Sequence, residues 1–511
     1  MMFQPDSARS KNRETSFDRA ERLIPDSHAE RNLAGAKRSV YWLDHPDKPA
    51  AQHPLLEDIT TDLAVVGGGY TGLWTALIAK ERDPQRDVVV LEAAECGWAA
   101  SGRNGGFCEA SITHGESNGE KHLTQENERL IELGDENLEE LVATIERYKI
   151  DCDLTHSGMM EIATEKHQVR WLQDEAQPSD VIPSEQGPEF LDGPEARARI
   201  NTPLAHAGLL HRTGTVMVHP AKLAWGLKKV CVDLGVRIFE NSRVTGLNDD
   251  TQATPAGTQS GTDKASSVVV LDTDNGTVHA NLVALATNIF PNLIRRNRLY
   301  TVPVYDYALM TEPLTDAQRA AVGWPGMEGL ADLNNRFHYV RPTLDADGRF
   351  RILIGGYDAV YHFGRAMRSE YLNSEETYLK LAKHFAALFP DLDDVRFSHA
   401  WGGAIDTCSR FFSFFDRSFG GRVVYAGGFT GLGVGATRFA AKVILDLLSG
   451  ERTELTELEM VRKKPIPFPP EPFAWTGVKI TTAAMVRADR REGKRGLWLK
   501  AMDAVGMGFD S

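Results

Sequence analysis

Between Thr61 and Glu92 the chain reads TDLAVVGGGYTGLWTALIAKERDPQRDVVVLE, and few folds accommodate that order of residues. An apolar run, 62–66, ends in Gly67-Gly68-Gly69-Tyr70-Thr71-Gly72; a helix-periodic stretch, 73–80, and a second β-branched run, 88–91, follow. A two-residue period broken by glycines, then a helical period, then another apolar run predicts strand, tight turn, helix and parallel strand. In such a unit Gly67 permits the sharp turn. Gly69 leaves backbone bare where a pyrophosphate meets the helix N-terminus, with Tyr70 and Thr71 beside it, and Gly72 lets helix and strand approach closely. Glu92, about twenty residues on with Ala93 behind it, is placed to accept hydrogen bonds from a ribose. A carboxylate there, rather than an arginine, disfavours a 2′-phosphate, so the unit predicts FAD or NAD.

The 511 residues are too many for one simple core, which predicts two domains or an interleaved pair. A formal net charge of −14 disfavours nucleic acid and anionic membranes as principal partners. No apolar run reaches the length of a membrane span, and the N-terminus lacks a signal-type apolar core; the expectation is a cytoplasmic protein. Cys96, Cys108, Cys152, Cys231 and Cys408 are scattered without C-x-x-C spacing, which predicts reduced thiols and neither a disulfide frame nor a metal site.

Beyond Glu92 lies Gly97-Trp98-Ala99-Ala100-Ser101-Gly102-Arg103-Asn104-Gly105-Gly106. Small residues there let backbone lie against a flat or phosphorylated ligand, and Arg103 supplies charge beside a pyrophosphate. VVGGGYTGL, LEAAECGWAASGRNGG, WGGAIDT and YAGGFTGLGVGATRFAAK occur in this order. Together they resemble the D-amino-acid-oxidase-like family of FAD-dependent amine and amino-acid oxidoreductases, nearest to its gamma-glutamylputrescine oxidase branch.

The resemblance implies an α/β fold in which a Rossmann-like FAD-binding domain is interleaved with an α+β substrate domain on a mixed sheet. The expected boundaries are a charged N-terminal arm and lead-in over 1–57, of which 1–40 reads as a mobile arm with little to form a core, FAD-binding parts over 58–115, 205–300 and 400–455, substrate parts over 116–204 and 301–399, and a basic helical tail over 456–511. Along the chain, 120–148 has the apolar spacing of one amphipathic helix, 248–267 reads as a loop insertion, and 268–271 with 277–286 reads as a hairpin through Asp274-Asn275-Gly276. The basic stretch from Arg487 to Arg495, followed by Trp498, reads either as a helical tail packed on the acidic body or another subunit, or as a membrane-surface contact.

The same resemblance implies further cofactor contacts: Val244 to the adenine, Thr287 at the end of a buried strand, and Ser101 to Gly106. The glycine turn at Gly428, Thr430, Gly431, Leu432, Gly433 and Val434 opens a helix whose N-terminus stabilises negative charge on the flavin's pyrimidine side. Gly403 stands where sarcosine-oxidase-like relatives attach FAD through cysteine, and no attachment histidine follows Gly106, so noncovalent FAD is expected. Leu353 stands near a lysine that helps those relatives activate oxygen, leaving O2 or another acceptor.

Strands over 303–313 and 337–357 are expected to line the substrate cavity, making Tyr305, Tyr307, Tyr339, Arg341 and Tyr357 candidates for substrate contact. Arg341 precedes Pro342, whereas the family's carboxylate-clamping arginine follows the proline; one step along a strand reverses the face. The implied reaction is oxidation of an amine C–N bond to an imine by hydride transfer to flavin N5, then hydrolysis. The alternatives are an amino-acid oxidase or dehydrogenase with Arg341 as carboxylate clamp, and a non-catalytic flavin-binding protein.

Overall fold

The computed structural model describes residues 14–177, 187–250 and 268–507. The apolar run before the glycines forms the strand Ile59–Val66, the periodic stretch the helix Tyr70–Arg82, and the β-branched run the strand Val88–Leu91. Ile59–Val66 pairs in parallel with Val88–Leu91 on one side and Thr277–Leu285 on the other. The latter pairs in parallel with Val423–Gly427, so the eight-stranded sheet runs Phe414–Ser418, Val423–Gly427, Thr277–Leu285, Ile59–Val66, Val88–Leu91, Arg237–Phe239, with Val268–Thr273 also paired to Thr277–Leu285 and Val244–Asp250 to Val268–Thr273. Its central strands are buried on both faces, as the unbroken apolar runs require. The expected hairpin forms as Val268–Thr273 against Thr277–Leu285. Of the expected loop insertion, 248–250 belong to the strand Val244–Asp250, and 251–267 lie outside the described residues.

The second sheet has nine strands, ordered Val360–Tyr361, Thr301–Thr311, Phe350–Gly356, His338–Leu344, Gly329–Asp332, Met159–Ala163, Ala207–His211, Glu189–Asp192, with Phe397–Cys408 also paired to Thr301–Thr311. Two stretches assigned by sequence to the FAD-binding part lie here instead. Ala207–His211 pairs with Met159–Ala163, and Phe397–Cys408 stays antiparallel to Thr301–Thr311 as far as Cys408, carrying Gly403 with it. Both are continuations of antiparallel ladders, which no local composition change marks.

The N-terminal arm is also corrected. Thr15 caps the helix Ser16–Leu23 in a reciprocal box with Asp18, Asp26–Leu33 follows, and Phe17, Ala29 and Leu33 are buried in the substrate core. An eight-residue helix anchored by one aromatic shows no period to read. The helix expected over 120–148 is two, Gly115–Leu123 and Asn127–Arg147. The tail folds as Phe473–Asp489 and Leu497–Ala504, with Arg490 bonded to Asp18 at 2.6 and 2.8 Å and Arg495 to Asp503 at 2.6 and 2.9 Å. All five cysteines are free and buried. Among the described residues no helix is long and apolar enough to cross a membrane.

Candidate functional site

The parallel register brings the two glycine turns together. Val66 stands opposite Leu285, and Leu285 opposite Tyr425, so Gly67, Ala286 and Ala426 follow in one row at the carboxyl ends of three adjacent strands. Two strand spacings, about 10 Å, separate the outer two strands. Ligands bind in this crevice of an open parallel sheet. Gly67 takes φ +110°, and a Cβ there would overlap the Ala286 carbonyl, so strand-end backbone is in contact across the row.

Gly69 caps the helix Tyr70–Arg82, the Tyr70 N–H donates to Ser101 Oγ at 3.0 Å, and Thr71 and Gly72 fill its buried first turn. Tyr70 turns its phenol away, donating to Pro220 O at 2.8 Å. Glu92 accepts from Gly68 N–H at 2.7 Å, Ala94 N–H at 2.8 Å and Trp98 Nε1 at 3.0 Å; burial raises its pKa against these bonds. A carboxylate has about four lone-pair sites, so one more donor is accommodated. Val244 opens its strand opposite Thr273, two residues after Ser242, whose N–H donates to Glu92 O at 2.8 Å.

The second turn is shaped from the other sheet. Asp406 Oδ2 accepts the Gly428 N–H at 2.6 Å and the Phe429 N–H at 3.2 Å; burial pushes this carboxyl up to about 6. Thr430, at φ 52°, donates to Gly428 O at 3.0 Å, and Gly431 takes φ +102°. Leu432 and Val434 are buried, Gly433 meets only Thr437 Cγ2 at 3.9 Å, and the helix Ala436–Ser449 begins directly after Gly435.

The run Arg103 to Gly106 is held by Trp401 and Arg341 of the substrate sheet and by Trp42 of the turn Tyr41–Leu43. Trp401 Nε1 donates to Arg103 O at 2.9 Å and Trp42 Nε1 to Asn104 O at 2.9 Å. Arg341 Nη1 donates to Gly105 O and Gly106 O, both at 3.2 Å, and to Val218 O at 2.8 Å. The Asn104 side chain ties the inside of the run, giving to Ala100 O and Ser101 O and receiving the Gly106 N–H at 2.8 Å. Gly102, in the turn Ala100–Gly102, is buried. Arg103 donates to Trp98 O at 3.0 Å and Gly402 O at 3.1 Å, and no carboxylate pairs with it among the described residues.

The nine-stranded sheet presents one face to this run, and its register defines it. Asp306 lies opposite Gly403; Ala308 opposite Trp401 and Gly355, with Gly355 opposite Tyr339; Met310 opposite His399 and Leu353, with Leu353 opposite Arg341. Cross-strand partners share a face, and Ala308, Met310, Leu353, Trp401 and Tyr339 pack with Trp42.

Residues 62–447 match the family described as FAD dependent oxidoreductase, DAO. The chain belongs to this family. Relatives of this DAO oxidoreductase include the gamma-glutamylputrescine oxidoreductase of Escherichia coli strain K12, 29% identical over 440 residues, covering 84% of this chain and 93% of that protein. Among solved structures, glycine oxidase from Geobacillus kaustophilus shares the fold with a TM-score of 0.58 at 19% identity, over 79% of this chain and 99% of that one. L-proline dehydrogenase from P. horikoshii does so with a TM-score of 0.58 at 15% identity, over 78% and 96%. The chain is an FAD-dependent amine or amino-acid oxidoreductase.

The residues at the carboxyl ends fit FAD. The buried Thr287 Oγ1, beside the Gly67 turn, has no hydrogen-bond partner, the state of a group that a ligand completes. Arg103 is a cation without an acid, and two helices aim their N-termini into one crevice.

The substrate candidates divide by face. Tyr305 and Tyr307 point to the opposite side, where Tyr307 donates to Tyr371 O at 2.9 Å and meets the Tyr378 ring edge-on at 5.9 Å. Tyr357 donates to Glu21 at 2.6 Å and stacks on His338. Tyr305 and Tyr307 pack away from the crevice because they alternate with the inner-facing Asp306 and Ala308, a parity the sequence alone leaves undetermined; Tyr357 lies beyond the strand Phe350–Gly356, where the chain turns at φ 67°. Arg341 is on the inner face, yet its guanidinium serves three backbone carbonyls. Only Tyr339 combines the inner face with a polar group turned along it, donating to Asp306 Oδ2 at 2.8 Å. Asp306 was missed by sequence reading; an acid flanked by tyrosines in an apolar strand was the available signal.

Proposed function

We propose that this chain oxidises the C–N bond of an amine resembling a gamma-glutamyl-polyamine, with FAD held noncovalently. The observation that carries the reading is the engagement of Arg341. A substrate carboxylate at the reacting carbon needs a free guanidinium fork, and this one is bound to the Gly105, Gly106 and Val218 carbonyls. Its burial lowers the pKa to about 10, so it stays charged at neutral pH and does not release those carbonyls. The amino-acid oxidase reading loses its clamp.

Gly67, Gly69, Glu92, Ser101, Arg103, Thr287, Gly428 and Gly431 are the residues proposed to hold FAD, which when bound supplies a two-electron acceptor for an amine C–H bond. The chain's own part is to place that bond and keep water away from it. Trp401, Ala308, Leu353 and Tyr339 pack with Trp42 into an apolar layer behind the run Arg103–Gly106, and Gly355 makes room in it, since a Cβ there would overlap the Tyr339 ring. The imine formed is hydrolysed by water to a carbonyl and ammonia or a smaller amine.

The test is anaerobic bleaching of the flavin by gamma-glutamylputrescine, putrescine, glycine and L-proline, followed by readmission of air. Bleaching by the two amines in preference to the amino acids is expected, and the rate of recolouring reads whether O2 is an acceptor. Preferential bleaching by glycine or L-proline overturns the reading.

A further inference from the structure

Asp306 is an acid without a cation. It sits mid-strand in Thr301–Thr311, on the face turned toward Arg103–Gly106, and is only partly buried. Its Oδ2 accepts the Tyr339 hydroxyl at 2.8 Å and its Oδ1 the Tyr307 N–H at 2.7 Å. Among the described residues no Lys, Arg or His forms an ion pair with it. Four lone-pair sites, with these two donors and the nearby Gly356 N–H, leave acceptor capacity for one more on the carboxylate. An apolar layer and a tyrosine are a costly place to leave a carboxylate that is not used.

The neighbours of Asp306 are cut away on the side facing the crevice. Across the ladder stands Gly403, whose missing Cβ would meet nothing nearer than Arg103 Cβ and Cδ at 3.6 and 3.7 Å. Next along is Gly355, without which the Tyr339 phenol could not cross the sheet to reach Asp306. Tyr339 itself is wedged against Gly105, 3.0 Å from where a Cβ of that residue would stand. One glycine thus lets the Arg103 stem lie against the strand beside the acid, and the other lets a phenol brace it.

We propose that Asp306, braced by Tyr339, is the docking site for a positively charged nitrogen of the substrate other than the one being oxidised, making this oxidoreductase selective for aliphatic amines that carry a second, ammonium nitrogen. The inference rests on the amine reading and deepens it. An ammonium group supplies three donors and the one charge the site lacks, and its attraction to a carboxylate in a water-poor site is far stronger than in bulk. Burial pushes the Asp306 carboxyl up to about 6, against the Tyr339 bond, which lowers it. The groups around it are Tyr339, the Tyr307 and Gly356 backbone and His338, with Arg103, its guanidinium turned to the Trp98 and Gly402 carbonyls, across Gly403. Docking therefore strengthens as pH rises through about 6, where the acid ionises.

The experiment measures amine affinity on the FAD-loaded enzyme, from the concentration dependence of anaerobic flavin bleaching and from equilibrium dialysis of labelled putrescine, between pH 5 and 8. Asp306→Asn is expected to raise the Kd for putrescine and gamma-glutamylputrescine about 100-fold and to abolish the acid limb. Its flavin spectrum and melting temperature serve as the check on folding. Tyr339→Phe, which keeps the acid, is expected to raise Kd several-fold and move the limb to higher pH. It carries the test alone if the asparagine variant does not fold. If the wild type bleaches with the amines while Asp306→Asn keeps both its affinity and its acid limb, the docking site is overturned and the amine reading survives. If the wild type bleaches with glycine or L-proline but with neither amine, the amine reading fails and takes the docking site with it.

Discussion

Thr287 has a side-chain oxygen that the protein buries and leaves unpaired. An unpaired buried hydroxyl costs about 1–3 kcal/mol. Thr287→Val is therefore expected to leave the FAD-free protein equally or more stable, while raising the flavin dissociation constant about tenfold. Thermal melting of the apoprotein and fluorescence titration with FAD read the two effects separately; unchanged flavin affinity would remove Thr287 from the cradle. Arg341 gives the contrasting case. Arg341→Gln strands the Gly105 and Val218 carbonyls, Gly106 O keeping the Val218 N–H, so a loss on the order of 2 kcal/mol is expected in urea unfolding, with KM changing alike for carboxylated and uncarboxylated substrates. A rise in KM confined to carboxylated substrates would restore it as a clamp. The sequence placed Arg341 on the correct strand; its partners come from residues 105, 106 and 218, and no spacing rule connects those to position 341.

Strand, turn and helix at 59–82 were legible because each local signal agrees with the others: apolar run, glycines, helical period. The second turn was legible for the same reason, whereas the group that shapes it was not. Asp406 belongs to a strand of the other sheet and reaches the Gly428 and Phe429 N–H groups only through the fold. Asp406→Ala is expected to unlatch that turn, lowering stability by about 2 kcal/mol and weakening flavin retention through gel filtration; a variant that stays fully yellow would refute the latch. The helix Ser16–Leu23 was invisible to pattern reading, yet Phe17 sits 4.2 Å from the His338 ring and 4.9 Å from His384. Phe17→Ala should cost about 3–5 kcal/mol, measured by denaturant midpoint, if the N-terminal helix is integral to the substrate domain.

At the scale of the whole molecule, that docking depends on acidity. His338 Nε2 lies 2.9 Å from His384 Nδ1, with Asp332 at one end and Glu21 at the other. Burial, the largest influence, depresses the His384 pKa to about 4 although Glu21 opposes it. The folded state thus holds His384 neutral, whereas the unfolded chain protonates it near pH 6.5. The stability this contributes is complete above about 6.5 and is lost as pH falls toward 4, by up to about 3 kcal/mol. Urea midpoints at pH 7.5, 6 and 5 should decline accordingly; a flat profile would contradict the assignment. Histidine content alone did not announce this cluster, which joins residues 21, 332, 338 and 384.

Four consecutive carbonyls, from Arg103 to Gly106, are gripped by Trp401, Trp42 and Arg341. The consequence concerns the order of biogenesis. A hinge opening between the two lobes would sever every one of those grips together, so the coenzyme has no low-cost doorway once the lobes have closed. Loading comes before or during that closure, and exchange of the coenzyme from the finished protein should be slow, read from the rate at which free FAD displaces a labelled one.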